Sequence, residues 1–313
     1  MPNINKIYDT AISSISKVYD STLSSLDEVL GLTIPASFVN SKAVQRDLTV
    51  GTSHAITFED IDDEYNFVQS DSFSISFWVR AGWSSSLNTN IHFLIGQERN
   101  ATYQLQDMIK IYFDESLNRL SFMYGNKNSK ADWRRLGQWL FHANSGAYAT
   151  AYAAAGLGTT FWSASNRGNA NSDGYTMITI TKPAVDSMSG VKLYWNGTSC
   201  GSAPIQTNQT NTFSMSTTEH RLWSLGSNGV SSGNDQKKTG NSAATRYDGL
   251  TFWDAELTSS EVSELYNSGT PMDATTHSAS SNLVGFWNFE DNGTNEVGEN
   301  DFSVAGNSTY VTI

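Results

Sequence analysis

The stretch SFSISFWVRAG, residues 72–82, carries the clearest fold signal in this sequence. Its apolar residues recur at every second position, and an extended chain places alternate side chains on opposite faces. The residues that share one face are Phe73, Ile75, Phe77 and Val79. Aromatic and β-branched residues in such an alternation are typical of a β-strand with one face against a core. The stretch therefore predicts a buried strand.

Runs of the same kind lie on both sides of this strand, separated by Gly, Asn, Asp and Ser residues that favour turns. They span residues 42–50, 54–60, 65–69, 91–98, 108–116, 119–125, 176–183, 191–197, 220–226, 247–257, 285–293 and 301–306. Within one of them, Asn196-Gly197 favours a tight hairpin turn. About a dozen strands with turns between them predict an all-β chain.

One segment, TSSEVSELYNSG at residues 258–269, has the period of a helix instead. Residues 258–260 offer side chains suited to an N-cap, and Val262, Leu265 and Tyr266 follow at helical spacing. Gly269 is expected to end the helix, just before a proline. A chain of many strands with one short helix predicts a jelly-roll β-sandwich.

Composition agrees with a β-rich fold and excludes one class of function. Charged residues are 16% of the chain and aromatic residues 12%, and aromatic rings fit pleated sheet surfaces. The net charge is −12, and no basic stripe is present to neutralise the phosphates of a nucleic acid. We therefore expect no nucleic-acid partner. The few cationic clusters lie in loop-like stretches where solvated side chains are expected: Lys127 and Lys130 with Arg134-Arg135, and Lys237-Lys238.

Cysteine content and hydropathy indicate where the protein assembles. Cys200 is the only cysteine, so no disulfide can form within the chain, which suits assembly in a reducing cytoplasm. The first residues lack the continuous apolar region of a signal peptide. No run of about 18 apolar residues occurs, so membrane insertion is not expected.

Residues 4–36 form a repeat of eleven residues that nothing later in the chain resembles: INKIYDTAISS, ISKVYDSTLSS and LDEVLGLTIPA. The apolar spacing matches a helical stripe, whereas the paired serines favour turns or strands, so a helical and an extended arm both remain open. In either form the stripe is too thin to build its own core. Residues 1–40 are therefore predicted to be an arm that docks on another protein through Ile4, Ile7, Tyr8, Ile12, Ile15, Val18, Tyr19, Leu23, Leu26 and Val29.

A second unusual segment, at about 126–172, interrupts the domain predicted for residues 41–313. It does not follow the rhythm of the strands, and such a long connection in a compact domain usually has a function or forms an interface. Exposed aromatic rings stack on sugars, so the segment predicts a glycan site. The alternative is that the same residues fill a satellite core or a subunit interface: Trp133, Trp139, Tyr148, Tyr152 and Trp162.

Four blocks of sequence resemble laminin-G-like, concanavalin A-like domains. They are HAITFEDIDDEYNFVQSDSFSISFWVRAG (54–82), GVKLYWNG (190–197), YDGLTFWDAELTSSEVSELYNSG (247–269), and LVGFWNFEDN (283–292) followed by DFSVAG (301–306). The blocks occur in the order of that family and cover roughly residues 43–313. The resemblance implies a concanavalin A-like jelly roll in which Trp78, Trp195, Trp253 and Trp287 pack the sandwich.

The repeat in residues 4–36 is similar to a different group, the short repeats of the I-x-K-[IV]-x-x-x-x-I-S-S kind on structural proteins of tailed phages. Together, the two resemblances imply a virion protein. The arm would hold the particle, and the jelly-roll domain would face outward.

The resemblance also raises the question of enzymatic activity, because glucanases of this fold use closely spaced carboxylates on one strand. The best match is the acidic run 59–64, but Ile61 stands where that pattern needs an aspartate on the face of Glu59. The run also falls at the first turn of the family, which favours a plain acidic turn. We therefore expect no catalytic residues and no enzymatic activity.

Calcium remains open, because some laminin-G-like relatives bind it at loop acids and carboxylates are its usual ligands. The candidate ligands are Asp62, Asp63, Asp248, Asp291 and Asp301, without a spacing that selects among them. The histidines are scattered and are expected to be structural rather than metal-binding: His54, His92, His142, His220 and His277.

These observations predict a phage virion protein, either a fibre-like appendage or a capsid decoration protein, assembled in the bacterial cytoplasm. Its partners would be other virion proteins through residues 1–40, and host-surface polysaccharide or neighbouring subunits through the jelly-roll domain. A homo-oligomer is expected, with a trimer as the prior for a fibre. Two alternatives remain, namely a structural cement protein without a ligand and a glycan-degrading enzyme of the same fold.

Overall fold

The structure is a computed structural model in which the chain divides into two units, Met1–Val39 and Asn40–Ile313. It describes residues 38–46, 56–60, 64–65, 67, 71–80, 90–98, 107–114, 119–129, 132–142, 174–185, 190–202, 205–206, 221–226, 245–304 and 308–313. At residues 132–142 and 205–206, and in parts of other strands, only the backbone is described. The predicted arm, with all its stripe residues from Ile4 to Val29, lies outside this part of the chain.

In the described residues, sixteen strands form two eight-stranded antiparallel sheets. The first sheet contains β1 (Lys42–Arg46), β3 (Phe73–Arg80), β8 (Thr176–Lys182), β9 (Lys192–Trp195), β10 (Thr198–Ser202), β13 (Thr245–Trp253), β14 (Leu283–Trp287) and β16 (Thr309–Thr312). The second contains β2 (Ile56–Asp60), β4 (Asn90–Glu98), β5 (Asp107–Asp114), β6 (Arg119–Ser129), β7 (Asp132–His142), β11 (Ile205–Gln206), β12 (Arg221–Leu225) and β15 (Ser303–Val304).

The order of strands in the first sheet is β10-β9-β8-β3-β13-β1-β16, with β14 also paired to β13. The order in the second sheet is β11-β7-β6-β5-β4-β12-β2-β15. Because neighbours in a sheet come from distant parts of the sequence, the chain crosses repeatedly between the two layers, as in a jelly roll. The predicted all-β jelly-roll sandwich is confirmed for the described residues.

The alternation of β3 places its side chains as the sequence predicts, with Phe73, Ile75, Phe77 and Val79 in the core. Its other face is buried as well, so the whole strand except Arg80 is inaccessible. The turn expected at Asn196-Gly197 is confirmed by positive φ at both residues, 48° and 74°, as a type I′ hairpin requires.

The centre of the sandwich is a group of aromatic rings from both layers, called here the aromatic core cluster: Phe58, Tyr65, Trp223, Phe252, Trp287 and Phe302. Phe58 of the second sheet stacks on Trp287 of the first, with ring centroids 5.1 Å apart. Trp223 of the second sheet contacts Phe252 of the first with the two rings tilted, at a centroid distance of 4.7 Å. Gly96 makes room for this cluster, because a Cβ there would lie 2.7 Å from the Trp223 ring.

The predicted helix is α1, Ser259–Tyr266, the one α-helix among the described residues. Thr258 caps it reciprocally with Glu261, since each side chain accepts a hydrogen bond from the backbone N–H of the other. The helix ends at Asn267 in the left-handed conformation, earlier than the expected stop at Gly269. Asn tolerates this conformation because its short side chain bonds locally.

Helix α1 and the segment after it cover the outer face of the first sheet. Trp78 stacks on Tyr266 at 5.6 Å, and Trp253 packs edge-on against the ring of His277 at 5.0 Å. The prediction that the strand tryptophans pack the sandwich is confirmed, because all four are at most 3% exposed: Trp78, Trp195, Trp253 and Trp287. In the part of the chain that the structure describes, no helix is long and apolar enough to cross a membrane.

Two regions differ from the strand prediction. Tyr65 lies in a turn rather than a strand, because the Asp60 carboxylate accepts the backbone N–H groups of Glu64 and Tyr65 at 3.0 Å each. The segment from 126 begins as strand, since 126–129 and 132–142 belong to β6 and β7. These residues form strands because β6 and β7 pair with each other, although their sequence lacks the alternation typical of a strand. Residues 143–172 of the predicted insertion lie outside the described chain.

Candidate functional site

The hairpin of β6 and β7 extends beyond the described parts of its two neighbouring strands. Strand β5 pairs with β6 only as far as Asn126, and β11 pairs with β7 only at Gln138 and Trp139. The register of the hairpin continues past both neighbours, through Lys127 opposite Trp133 to Ser129 opposite Asp132. Within the described chain, this end of the hairpin is therefore paired with no other strand.

The sequence of the extended end is aromatic and cationic. Trp133 lies opposite Lys127, Arg134 opposite Asn126, and Arg135 opposite Gly125. The expectation that these cationic residues lie in loops is wrong, because the hairpin pairing holds their backbone in strands. Lys130 and Lys237-Lys238 lie outside the described chain. In a protein with net charge −12, this hairpin end concentrates positive charge beside a tryptophan.

The five aromatic residues proposed for glycan binding do not share one position. Trp139 pairs with Phe122, a core residue, so its register position is on the core face of the sheet. Trp133 pairs with Lys127, at a position of β6 that alternates to the opposite face. The side chains of Trp133 and Trp139 lie outside the described part of the chain. The other three residues, Tyr148, Tyr152 and Trp162, lie outside it entirely. Of the five, Trp133 alone has a described register position on the outer face.

The acidic run 59–64 forms a structural turn in its described part. Asp60 is fully buried and holds the turn by accepting two backbone N–H groups. Glu64 accepts a hydrogen bond from the Asn300 side chain at 3.0 Å, which ties the turn to the C-terminal segment. Ile61, Asp62 and Asp63 lie outside the described residues. The plain acidic turn expected from the sequence fits these contacts.

The three described calcium candidates have separate environments. Asp291 lies 3.5 Å from the ammonium group of Lys42, and Asp301 accepts the backbone N–H of Asn295 at 2.8 Å. Asp248 is buried and accepts hydrogen bonds from Gly249 N–H and from the Asn40 side chain. Among the described residues, no three His, Cys, Asp or Glu side chains form a group that could hold a metal ion.

His277 has the structural role expected for the histidines. Its Nδ1 accepts the backbone N–H of Ala279 at 3.0 Å, and its Nε2 lies 2.9 Å from the Glu261 carbonyl oxygen. This pattern fits the neutral tautomer with the proton on Nε2, which donates to that carbonyl. The side chains of His92 and His142, and all of His54 and His220, lie outside the described part. Cys200 is buried, and burial raises the pKa of its thiol to about 12.

Sequence reasoning missed one group of polar residues on the outer face of the first sheet. Arg80 and Arg246 lie directly opposite each other on β3 and β13. Tyr175 precedes β8 beside them, and Arg246 and Arg80 act on its hydroxyl electrostatically. No local pattern indicates this group, because its members are brought together only by the pairing of three distant strands.

Comparison with known proteins identifies similar folds. No protein-family model matches the sequence, and no curated protein matches it. The native heptameric SAP-like pentraxin of Limulus polyphemus has a TM-score of 0.45 at 9% identity, over 88% of this chain and 97% of the pentraxin.

Two further solved structures are larger than this chain. The binding domain of Paraclostridial Mosquitocidal Protein 1 has a TM-score of 0.42 at 16% identity, over 72% of this chain and 43% of that chain. Trypanosoma rangeli sialidase has a TM-score of 0.34 at 12% identity, over 65% of this chain and 24% of that chain. This chain therefore spans less than half the length of either protein.

Proposed function

We propose that residues 41–313 form a non-catalytic binding module of a tailed-phage virion protein, which contacts host-surface glycan or neighbouring subunits. The observation that carries this proposal is the end of the β6–β7 hairpin, which extends past both neighbouring strands. A two-stranded end presents side chains on both faces, and Trp133 with nearby cations offers a ring for stacking and donors for hydroxyl groups.

The position of Trp133 separates a recognition role from a packing role. Its register partner Lys127 occupies a position of β6 that alternates away from the core residue Phe122, whereas Phe122 itself is the partner of Trp139. A residue with an outer-face register position, beyond the described pairing of the hairpin with other strands, is expected to contribute little to the core of the sandwich. Truncation of Trp133 is therefore expected to act on binding rather than on folding.

The test is glycan-array binding of the Trp133→Ala protein, followed by titration with the best-bound neutral glycan. We expect the affinity to fall at least tenfold, about 1.4 kcal/mol, with an unchanged unfolding transition. Gln138→Ala, on the same strand opposite Met123, is the matched control and should bind as the parent does. Equal binding by the Trp133→Ala and parent proteins would contradict a glycan role for the hairpin.

The virion assignment rests on the arm rather than on the sandwich. Residues 4–36 repeat an apolar stripe that cannot bury itself, and a repeat of this kind is similar to the N-terminal repeats of tailed-phage structural proteins. In this proposal the arm, residues 1–40, docks on other virion proteins, and the jelly-roll domain faces away from the particle. The proposal assigns no catalytic role to the acidic run 59–64, and the hydrogen bonds of Asp60 to the backbone of Glu64 and Tyr65 support a structural role for that residue.

Deletion of residues 1–36 is expected to prevent incorporation into particles while the remaining domain keeps its cooperative unfolding transition. Incorporation is measured by sedimenting particles assembled with the deletion protein and quantifying it by mass spectrometry. A milder variant, Ile15→Asp with Val18→Asp, interrupts the stripe without shortening the chain and should act in the same direction. Normal incorporation of both variants would rule out docking through the arm.

A further inference from the structure

The turn after β14 holds the beginning of β1, the first strand of the sandwich. One carboxylate oxygen of Glu290 accepts the backbone N–H groups of Ser41 at 2.6 Å and Lys42 at 2.8 Å. The other oxygen accepts the Ser41 hydroxyl at 2.8 Å. Hydrogen bonds to an ionised group are stronger than those between neutral groups. This contact of Glu290 with Ser41 and Lys42, called here the Glu290 latch, therefore fixes the start of β1 firmly.

The backbone around Glu290 forms a tight turn. The N–H of Asp291 donates to the Phe289 carbonyl oxygen at 3.0 Å, which closes a three-residue turn with Glu290 at its centre. The residues on both sides of Glu290 have positive φ, 54° at Phe289 and 61° at Asp291. This left-handed conformation is unfavourable for a residue with a side chain, and most of all for a bulky one such as Phe.

Strained backbone of this kind persists only where surrounding contacts enforce it. Phe289 is fully buried, and its ring lies 5.7 Å from that of Phe302, which anchors the turn in the core. The Asn292 side chain donates to the Glu290 carbonyl oxygen at 3.2 Å and supports the turn from its other side. The core thus fixes the turn, and the turn directs the Glu290 carboxylate toward the start of β1.

The latch lies where the arm joins the sandwich along the chain. The boundary between the two units of the chain falls between Val39 and Asn40, directly before Ser41. Because the chain is continuous, a pull on the arm reaches Ser41 and Lys42 before it reaches the rest of β1. The three hydrogen bonds of the latch are therefore the first contacts of β1 to be placed under tension.

Loss of β1 would open the first sheet. Strand β1 lies between β13 and β16, and within the described chain β16 pairs with no other strand. Release of β1 would therefore also release β16 and leave one edge of β13 without its backbone partners. It would expose Val44 as well, which is fully buried in the core. Holding the start of β1 consequently protects more of the sandwich than one strand.

We propose that the Glu290 latch resists the tension that a docked arm transmits and so keeps β1 in the first sheet. This inference rests on the proposed docking of the arm, because tension arises only if another protein holds the arm. The neighbouring ion pair of Lys42 and Asp291 contributes little, because its charged atoms are 3.5 Å apart and the side chains are 31% and 65% exposed. The tension at the start of β1 therefore falls mainly on the Glu290 carboxylate.

The test is single-molecule pulling of the full chain in optical tweezers, with handles attached in two placements. The arm placement uses Val39→Cys with Val185→Cys, and the bypass placement uses Asp254→Cys with Val185→Cys; all three positions are exposed. The first placement pulls directly on the start of β1, and the second does not. Cys200 is buried, and burial raises the pKa of its thiol to about 12, so it does not compete for the handles.

The measured quantity is the lifetime of the folded domain at constant force. In the arm placement, Glu290→Gln is expected to shorten this lifetime at least tenfold, because the amide keeps the size of the side chain but loses its charge and one acceptor oxygen. Glu290→Ala removes all three bonds and should act at least as strongly. In the bypass placement, both variants should change the lifetime less than twofold. Glu299→Gln, an exposed carboxylate in the same segment, is the matched control and should resemble the parent in both placements.

Two results would overturn the inference. Equal shortening in the two placements would show that Glu290 stabilises the whole domain rather than resisting tension from the arm. Unchanged lifetimes of both Glu290 variants in the arm placement would show that the latch carries no tension. Neither result affects the docking of the arm, which is measured separately by incorporation of the deletion protein into particles. Normal incorporation of that protein would remove the docking function and the source of the tension, even if the lifetimes behave as expected.

Discussion

Replacing Trp287 with alanine is expected to lower the free energy of unfolding by about 3–5 kcal/mol. Trp287 is fully buried at the end of β14, inside the aromatic core cluster. Its ring lies 5.2 Å from Phe302 and 5.3 Å from Phe252, in edge-on contacts. Its indole N–H donates to the Asn300 carbonyl oxygen at 3.0 Å, so truncation also leaves that carbonyl without its partner.

The size of the effect follows from the position of Trp287 between the layers. Phe58, which stacks on it, comes from the second sheet, so the loss of the indole ring removes contact between the sheets as well as within one. A cavity of that size cannot close without moving strands of both layers. Aromatic pairs in edge-on and offset geometry also contribute beyond the area that they bury.

Guanidinium unfolding followed by far-ultraviolet circular dichroism measures this loss without depending on tryptophan fluorescence. Val297→Ala is the matched control, because Val297 is 44% exposed in the same C-terminal segment and should change the free energy of unfolding by less than about 0.5 kcal/mol. Trp287→Phe should fall between the two. A loss below about 1 kcal/mol for Trp287→Ala would show that the cluster does not join the sheets.

Local alternation was enough to predict most of the sandwich. Phe73 and Ile75 show period two within one strand, and Thr258 with Glu261 forms a capping box within one helical turn. Both signals lie within a few residues of sequence. The burial of both faces of β3 agrees with the strand that the alternation predicts. The burial of the strand tryptophans is predictable from the same pattern, because these residues lie within strands that are covered on both faces.

Features that depend on distant partners were not predictable. Strand β7 has an irregular pattern and is defined by its pairing with β6. Lys182 ends β8 fully buried, where a sequence argument expects an exposed charge. Its ammonium group donates to three backbone carbonyls, of Asp71, Pro183 and Val185, at 2.8–3.0 Å. The pairing of Arg80 with Arg246 depends on the register of β3 and β13, and no window of sequence contains both residues.

Asp248 shows most clearly how a distant environment changes the chemistry of one side chain. It is 1% exposed, and burial raises the pKa of its carboxyl well above the ordinary value, with Glu290 adding to the effect. Asn40 donates to this carboxyl, while Oδ1 of Asp248 and Oδ1 of Asn40 receive no hydrogen bond from the described chain. Burial therefore favours the neutral acid, and protonation turns an unpaired acceptor of the Asp248 carboxyl into a donor.

Replacing Asp248 with asparagine is therefore expected to raise the free energy of unfolding at pH 7. The folded-state pKa of Asp248 is above the unfolded value of 3.8, so between these two values the folded protein holds one more proton than the unfolded chain. Stability from this group is complete below pH 3.8 and is lost as the pH rises toward the folded-state pKa, by about 1.4 kcal/mol per pH unit. The asparagine amide keeps a neutral group at the site and removes that loss.

The measurement is the free energy of unfolding of the parent and Asp248→Asn proteins from pH 4 to pH 8. The advantage of the variant should be small at pH 4 and should increase with pH, which distinguishes the loss of a buried charge from a general improvement in packing. Glu299→Gln removes a carboxylate from an exposed position and controls for net charge. An advantage that is constant with pH, or a variant less stable than the parent at pH 7, would show that the folded protein accommodates the Asp248 carboxylate in its ionised form.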